Sequence, residues 1–248
     1  MALAALRALT LVQIWATHAI AFFAHEYAHS TTAWLLGWKA NPLALNYGHL
    51  TLSNLLAMFA IDENVDYAPI FASGHAWQAG LIAAAGVAVG NGLITYPISR
   101  WGFAEAKRRS ARAWAMFFYW LCVMSVGNLI CYVPARTFSY REDMHTVTLG
   151  FHCSPWFILL VLGVPFALAL VEFFARFEPR SLHWIVPCSL VQRGTMAVLT
   201  AAGIFGFYGL AGLSNSGLIS HRISLVSVCV VFPLAAVFEC LLANRRKE

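Results

Sequence analysis

The chain of 248 residues carries a formal net charge of +5, with 60% hydrophobic residues, 11% charged residues and a mean hydropathy of +0.68. Soluble domains contain about a quarter charged residues, so this composition excludes a water-soluble globule and a disordered chain. The six scattered cysteines form no CxxC pair, which argues against a secreted disulfide scaffold, and the basic residues form no nucleic-acid-binding motif.

Six apolar segments are long enough to cross a membrane as helices, since a span needs about 20 residues. They are predicted at residues 8–38, 77–99, 113–133, about 155–177, 194–213 and 223–243. The apolar run of the first segment continues past residue 30, which predicts a retained span rather than a cleaved signal peptide. The sequence therefore predicts an all-α integral membrane protein, organised as a single polytopic domain over residues 1–248.

The longest connection, residues 39–76, joins the first two spans. Within it the segment LALNYGHLTLSN alternates apolar and polar residues about a Tyr-Gly pair, which predicts a short β-hairpin around residues 43–53. The following LLAMFA, at residues 55–60, is too short to span the membrane and is predicted to be a re-entrant segment.

The basic residues are distributed unequally between the two sides of the membrane. With the amino terminus inside, twelve of the 16 Lys and Arg residues fall in inside segments and four fall outside. The positive-inside rule then predicts that both termini are cytoplasmic.

The residues with the clearest chemistry are His25-Glu26-Tyr27-Ala28-His29, within the first span. Positions i and i+4 of a helix share one face, so both imidazoles can bind one metal ion and Glu26 can act as general base. An acid at the centre of a span costs about 2.5–3.5 kcal/mol on insertion scales, so it is rare unless it faces a cavity, a partner or a metal. The alternative is a polar helix-packing cluster in which Glu26 pairs with a histidine.

A catalytic zinc site needs a third protein ligand from another segment. Asp143, which follows the third span, is the leading candidate. Its rivals are His145, Glu142, His75 and His49. Asn128 and Pro134 precede Asp143 and predict that the helix breaks there, beside a cavity.

The second span contains three glycines, Gly86, Gly90 and Gly92, which leave little side-chain volume on one side of the helix. Close packing against another helix is sufficient to explain them. Between them, Asn91 is a candidate hydrogen-bonding group for the site or for a substrate backbone. Asn128 and His145 are further candidates for supporting the site or contacting the substrate.

In these features the chain resembles the site-two protease family of intramembrane zinc metalloproteases, over about residues 10–165. The family's HExxH helix is matched by His25–His29, and its AG…N helix is matched by Ala85, Gly86 and Asn91.

The family's third motif, an Asn…Pro…Asp-Gly segment, is matched by Asn128, Pro134 and Asp143, with Met144 in place of the glycine. The last two spans, about 194–243, match no family motif and are predicted to be additions to a metalloprotease-like core.

The resemblance implies a zinc metalloendopeptidase that hydrolyses peptide bonds of membrane-spanning substrates. His25, His29 and Asp143 would hold Zn²⁺, and Glu26 would deprotonate water and later protonate the leaving amine. An edge strand within residues 43–53 would pair with an unwound substrate. The implied partners are the membrane and a transmembrane protein substrate or other membrane subunits.

Two other functions fit the same residues. A non-catalytic membrane subunit would retain the metalloprotease site as a vestige and pack within a larger complex. A haem- or quinone-binding electron-transfer subunit would use His18, His25 or His29 together with His152 on a facing helix.

Overall fold

A computed structural model describes residues 3–214 and 217–245, so Arg246 and Lys247, which contribute to the predicted charge asymmetry, lie outside the described residues. The described chain is 79% helical and contains no β-strand. Within the described residues six helices are long and apolar enough to cross a membrane, which confirms the predicted all-α membrane architecture. These spans 1 to 6 are Ala8–Leu35, Ala76–Arg108, Arg112–Ala135, Pro155–Ile185, Leu190–Gly212 and Leu218–Glu239.

Three short helices lie between the spans in the described part of the chain. Leu52–Ala57 and Ala68–Ala72 belong to the connection after span 1, and Glu142–Gly150 follows span 3. Span 2 contains a long π-helical stretch, Gly86–Thr95, and span 3 ends in a π-helical turn, Cys131–Ala135. Spans 4, 5 and 6 contain π-helical turns as well, at Phe173–Phe177, Ala202–Phe207 and Ser227–Val231, so these turns do not by themselves mark the candidate site described below.

Span 3 is the centre of the helical bundle. In its most apolar window 83% of residues are buried, whereas only 11% are buried in the corresponding windows of spans 4 and 6. The large side chains of Tyr119 and Trp120 are fully enclosed by the surrounding spans. Spans 4 and 6 therefore present their apolar side chains outward, as expected of helices that face lipid.

The predicted β-hairpin at residues 43–53 does not form in the described chain, where a single isolated antiparallel bridge joins Asn46 to Asp62. The side-chain amide of Asn54 donates to the carbonyl oxygens of Tyr47 (2.9 Å) and His49 (3.1 Å). These backbone acceptors are satisfied by a side chain, so they do not need a second strand. The edge strand expected to receive a substrate is likewise not present.

The helix Leu52–Ala57 lies against span 1. The indole Nε1 of Trp15 donates to the carbonyl oxygen of Leu55 at 3.1 Å, and His18 Nε2 lies 3.4 Å from the carbonyl oxygen of Ala57. Trp15 is 20 residues before the end of span 1, a distance of about 30 Å along a helix. The segment therefore returns along the span instead of staying beyond its end.

Span 5 packs directly against span 3 through Tyr208. A Cβ added at Gly127 would lie only 2.5 Å from Cε2 of the Tyr208 ring, so the glycine makes room for the ring. The Tyr208 hydroxyl lies 2.9 Å from His18 Nδ1 and accepts a hydrogen bond from Asn128 Nδ2 at 3.2 Å. Span 5 is thus joined to spans 1 and 3 by buried polar contacts.

Candidate metal centre

Three side chains from two distant parts of the chain meet at one point in the structure. His25 and His29 come from span 1, and Asp143 comes from the first turn of the helix Glu142–Gly150. The two Nε2 atoms are 2.9 Å apart, and Asp143 Oδ2 lies 3.2 Å from that of His25 and 3.3 Å from that of His29. Among the described residues, this is the one group of three or more potential metal ligands gathered closely enough to share an ion.

The tautomer of His25 is set by Asn91. The amide nitrogen of Asn91 donates to the carbonyl oxygen of Ala21 at 3.0 Å, so the amide oxygen is the atom that faces His25 Nδ1, at 2.8 Å. An amide oxygen only accepts, so Nδ1 carries the proton and donates it. The lone pair of His25 Nε2 is then free to bind an ion.

The tautomer of His29 is set in the same way by backbone. Its Nδ1 lies 2.6 Å from the carbonyl oxygen of Ile82, which can only accept a hydrogen bond. Nδ1 is therefore the donor, and Nε2 presents its lone pair to the same point as His25 Nε2. Ile82 belongs to span 2, so this hydrogen bond also fixes the ring of His29 between the two spans.

Two imidazole lone pairs and one carboxylate oxygen thus point at the same place. None of these three atoms carries a proton there, because each ring has its proton on Nδ1. Such a group is stable only with a cation at its centre, either a proton or a metal ion. Ligands at about 2.0–2.2 Å from a tetrahedral zinc ion are about 3.3–3.6 Å from one another. The observed separations of 2.9, 3.2 and 3.3 Å are within a few tenths of an ångström of that spacing. Two histidines and one carboxylate are a donor set that both zinc and iron(II) use in proteins.

Gly86 provides the space beside the ligand atoms. A Cβ at this position would lie 2.5 Å from both Cε1 and Nε2 of His25 and would also overlap His29 Nε2. Gly90, one turn later, meets the backbone of span 1, where a Cβ would lie 2.5 Å from the Ala24 carbonyl oxygen. Gly90 thus serves helix packing, as predicted, whereas Gly86 borders the candidate metal position itself.

Asp143 reaches the site because the chain turns sharply in the last residues of span 3. Val133 has an extended backbone (φ −135°, ψ 102°), and Pro134 follows it, as the predicted helix break requires. Tyr132, immediately before the turn, stacks on the His25 ring with the ring centres 4.3 Å apart. The side chain of Asp143 retains 18% of its exposure, so the centre is closed on the span 1 side and partly open at this carboxylate.

Two further carboxyl groups lie near the candidate metal centre. Glu26, next to His25, is only 6% exposed, and no hydrogen bond to its carboxylate is seen within residues 3–214 and 217–245. Glu63 lies close enough to interact electrostatically with His29 and Asp143, and it accepts a hydrogen bond from the Tyr67 hydroxyl at 2.8 Å. Burial raises the pKa of Glu63, and the charge of Asp143 adds to this effect while His29 opposes it. Sequence reasoning does not single out Glu63, which is one of three acids in the stretch Asp62-Glu63-Asn64-Val65-Asp66 of the connection after span 1.

The other candidate residues are placed elsewhere. Asn128 donates to the carbonyl oxygen of Met124 and to the Tyr208 hydroxyl, away from the three ligand atoms. The rival third ligands are not part of the three-residue group in the described chain: these are His145, Glu142, His75 and His49. Glu142 instead forms an ion pair with Arg136 at 3.0 Å, and His75 Nδ1 lies 3.2 Å from the Ser73 hydroxyl.

Comparison of the chain with protein-family models, with curated proteins and with solved structures gave no match.

Proposed function

We propose that this chain is a membrane-embedded zinc peptidase that cleaves membrane-spanning protein substrates. One observation carries the proposal: three acceptor atoms converge within 3.3 Å, with both histidine tautomers fixed by groups behind them. Fixing the tautomer of a metal-binding histidine through its other nitrogen is the usual arrangement at zinc sites. With a proton in place of a metal ion the same group would be a polar helix-packing cluster, and the metal content of the protein distinguishes the two.

In this proposal His25, His29 and Asp143 hold the ion, and the approach from the Asp143 side stays open for water and substrate. Zinc, when bound, lowers the pKa of a water molecule to about 7 and polarises a carbonyl group. The carboxylate of Glu26 accepts the proton of the attacking water and returns it to the nitrogen of the leaving amine. Glu26 is suited to both transfers because it is buried beside the ligands and has no hydrogen bond in the described chain that holds its oxygens elsewhere.

The location of the centre favours a membrane-spanning substrate. His25 is ten residues before the end of span 1, about 15 Å along the helix, which is roughly half the thickness of the hydrocarbon layer. A peptide bond must come to that depth to be cleaved. The positive-inside rule further supports cytoplasmic termini, with Asp143 entering the membrane from the opposite side.

A haem protein is a poorer explanation. Haem ligands stand on opposite faces of the porphyrin, whereas His25 and His29 point their Nε2 atoms at each other from one helix face, 2.9 Å apart. Both ring nitrogens of His18 already have partners, the Tyr208 hydroxyl and the Ala57 carbonyl oxygen.

Metal analysis of protein purified without chelators, combined with a cleavage assay, tests the proposal. We expect about one zinc per chain in wild type, and much less in His25→Ala and in Asp143→Ala. Glu26→Gln should keep the metal and lose about 10²–10⁴-fold of the activity towards a panel of transmembrane-segment reporters, because it removes only the base. His145→Ala is the matched control, since it removes a nearby histidine outside the group and should retain zinc.

Absence of metal from the wild-type protein would refute the proposal. A chain that binds zinc but cleaves no reporter, and that is recovered in fixed ratio with other membrane proteins, would instead be a non-catalytic subunit.

A further inference from the structure

The two C-terminal spans, which match no motif in the sequence, contact the part of the chain that leads to the third candidate ligand. A Cβ added at Gly212, the last residue of span 5, would lie 2.6 Å from the carbonyl oxygens of Ala135 and Ser220. The backbone N–H of Gly212 also donates to the Ser224 hydroxyl at 2.9 Å. Spans 3, 5 and 6 therefore meet at the end of span 3, directly before the segment that leads to Asp143.

Arg136 connects this meeting point to the helix that carries Asp143. Its Nε lies 3.0 Å from Glu142 Oε2 and also donates to the carbonyl oxygen of Ala211, in the last turn of span 5, at 3.4 Å. The Arg136 side chain is 22% exposed and that of Glu142 is 38% exposed, so their ion pair is partly shielded from water and is screened less than a fully exposed pair. Because Glu142 directly precedes Asp143, a constraint on one restricts the position of the other.

The backbone of Glu142 has an unusual conformation. Its φ is +69°, in the left-handed region that few residues other than glycine adopt. Such a conformation costs free energy and persists only where the surrounding structure fixes it, which is often at functional sites. The backbone angles of Glu142 set the direction in which the following helix leaves the turn, so they also set where Asp143 points. The ion pair with Arg136 holds Glu142 in place.

Arg136 also contacts the ring that packs against the first ligand. Its guanidinium carbon lies 5.4 Å from the centre of the Tyr132 ring, within the range of a cation–π interaction, and Tyr132 stacks on His25. One guanidinium group therefore contacts the groups that support two different ligands. Arg136 is not itself a ligand, since a guanidinium group has no lone pair to offer a metal ion.

We propose that Arg136 is a positioning residue, which holds Asp143 within reach of the two histidines by bridging Glu142 and the end of span 5. The inference rests on the proposed function, because it requires that the three-residue group binds a metal ion. It also assigns a role to the C-terminal spans: they support the turn at the end of span 3, so that the third ligand is held in place before the metal arrives. Groups that orient metal ligands in this way typically change metal affinity by about 10–100-fold.

Zinc affinity, measured by competition with a chromophoric chelator in detergent, tests the inference. We expect Arg136→Gln and Glu142→Ala each to lower the affinity by about tenfold. The double variant should lose no more than either single variant, because both changes break the same ion pair. The sign of the Arg136→Gln effect is decisive. A cation repels a nearby metal ion, so if Arg136 acted only through its charge, its removal would raise the affinity.

Two variants complete the comparison. Arg136→Lys keeps a cation that can pair with Glu142 and should restore most of the zinc affinity. Arg141→Gln is the matched control, because it removes the same charge beside Glu142. Arg141 is exposed and forms no ion pair within residues 3–214 and 217–245, so its replacement should not lower the affinity.

Visible spectra of the Co²⁺-substituted protein separate positioning from a general loss of stability. The bands of Co²⁺ change with the number and type of its ligands, so they report whether Asp143 stays bound. We expect the spectrum of Arg136→Gln to move towards that of Asp143→Ala, and the spectra of Arg136→Lys and Arg141→Gln to match wild type. A variant that is only less stable would melt at a lower temperature and keep the wild-type bands.

The outcomes distinguish this inference from the proposed function. Wild-type zinc affinity in Arg136→Gln, additive losses in the double variant, or an equal loss in Arg141→Gln would overturn the inference and leave the metal site intact. If Arg136→Gln does not fold, Glu142→Ala decides, because it changes a partly exposed side chain, and wild-type affinity there would also overturn the inference. Absence of metal from the wild-type protein would refute the proposed function, and this inference with it.

Discussion

Replacing Gly86 with alanine tests whether the space beside the two histidines is the metal position. The added Cβ would lie 2.5 Å from His25 Nε2, whereas ordinary contacts begin at 3.4 Å, so the ring must withdraw by 0.9 Å or the two spans must separate. Metal–ligand distances tolerate deviations of only about 0.2 Å. The withdrawal would break the arrangement of ligands even if the rest of the fold were unchanged.

We therefore expect Gly86→Ala to lower zinc affinity by about 100-fold, the upper end of the range seen when groups behind metal ligands are altered. Overpacking should also cost about 1–3 kcal/mol in the free energy of unfolding. Zinc affinity is measured by competition with a chromophoric chelator in detergent, and helical content is followed by circular dichroism.

Gly92→Ala is the matched control, because it adds the same methyl group to the same π-helical stretch and meets only the Val87 carbonyl oxygen, at 3.3 Å. It should keep wild-type zinc affinity. Gly90→Ala should lower the melting temperature, since its Cβ meets the backbone of span 1. If Gly86→Ala binds zinc as tightly as wild type does, the ligand atoms do not converge as described.

Two further substitutions probe the groups behind the site. Asn91→Ala should lower zinc affinity about 10–100-fold, because His25 loses the acceptor that fixes its tautomer. Tyr208→Phe should lower the free energy of unfolding by about 1–3 kcal/mol, because it leaves His18 Nδ1 buried without its partner. Zinc content in Tyr208→Phe should not change, since the hydroxyl does not contact the ligands.

Each of these substitutions has its own control. Asn91→Asp keeps an acceptor for His25 and loses only the donor to Ala21, so it should bind zinc more tightly than Asn91→Ala. Equal affinities in the two variants would contradict the role assigned to the amide oxygen. Tyr140→Phe removes an exposed hydroxyl and should leave chemical denaturation unchanged. A Tyr208→Phe protein as stable as wild type would show that span 5 is not held by this contact.

The helical period of about 3.6 residues predicts that His25 and His29, two of the three clustered residues, lie side by side. Histidines four residues apart must share a helix face, and His25 and His29 do meet in the structure. Asp143 lies 114 residues beyond His29, and no local rule connects them. The sequence makes Asp143 the leading candidate among several, the resemblance to a known motif favours it further, and its approach depends on the turn at Pro134.

Other features of the site depend on packing that a sequence does not reveal. The small residues of span 2 predict that another helix packs closely against it. They do not predict which glycine faces the histidines, so the contact of Gly86 with His25 and His29 is seen only in the structure. The alternation of apolar and polar residues at 43–53 predicts β-strands. In the structure the Asn54 side-chain amide donates to two backbone carbonyl oxygens of this segment instead. In the sequence Glu63 is one of several acids in a connecting segment. It lies near the candidate site only because the connection folds back towards span 1.

The separation of the ligands along the chain has a consequence for biosynthesis. When span 1 has been inserted, the nascent protein holds two imidazoles and no third ligand, because the segment that carries Asp143 follows span 3. Metal affinity rises steeply with the number of preorganised ligands, so binding is coupled to folding. In the proposed peptidase, hydrolytic capacity would appear only after three spans had been correctly inserted and packed. A misassembled chain would stay harmless to neighbouring membrane proteins.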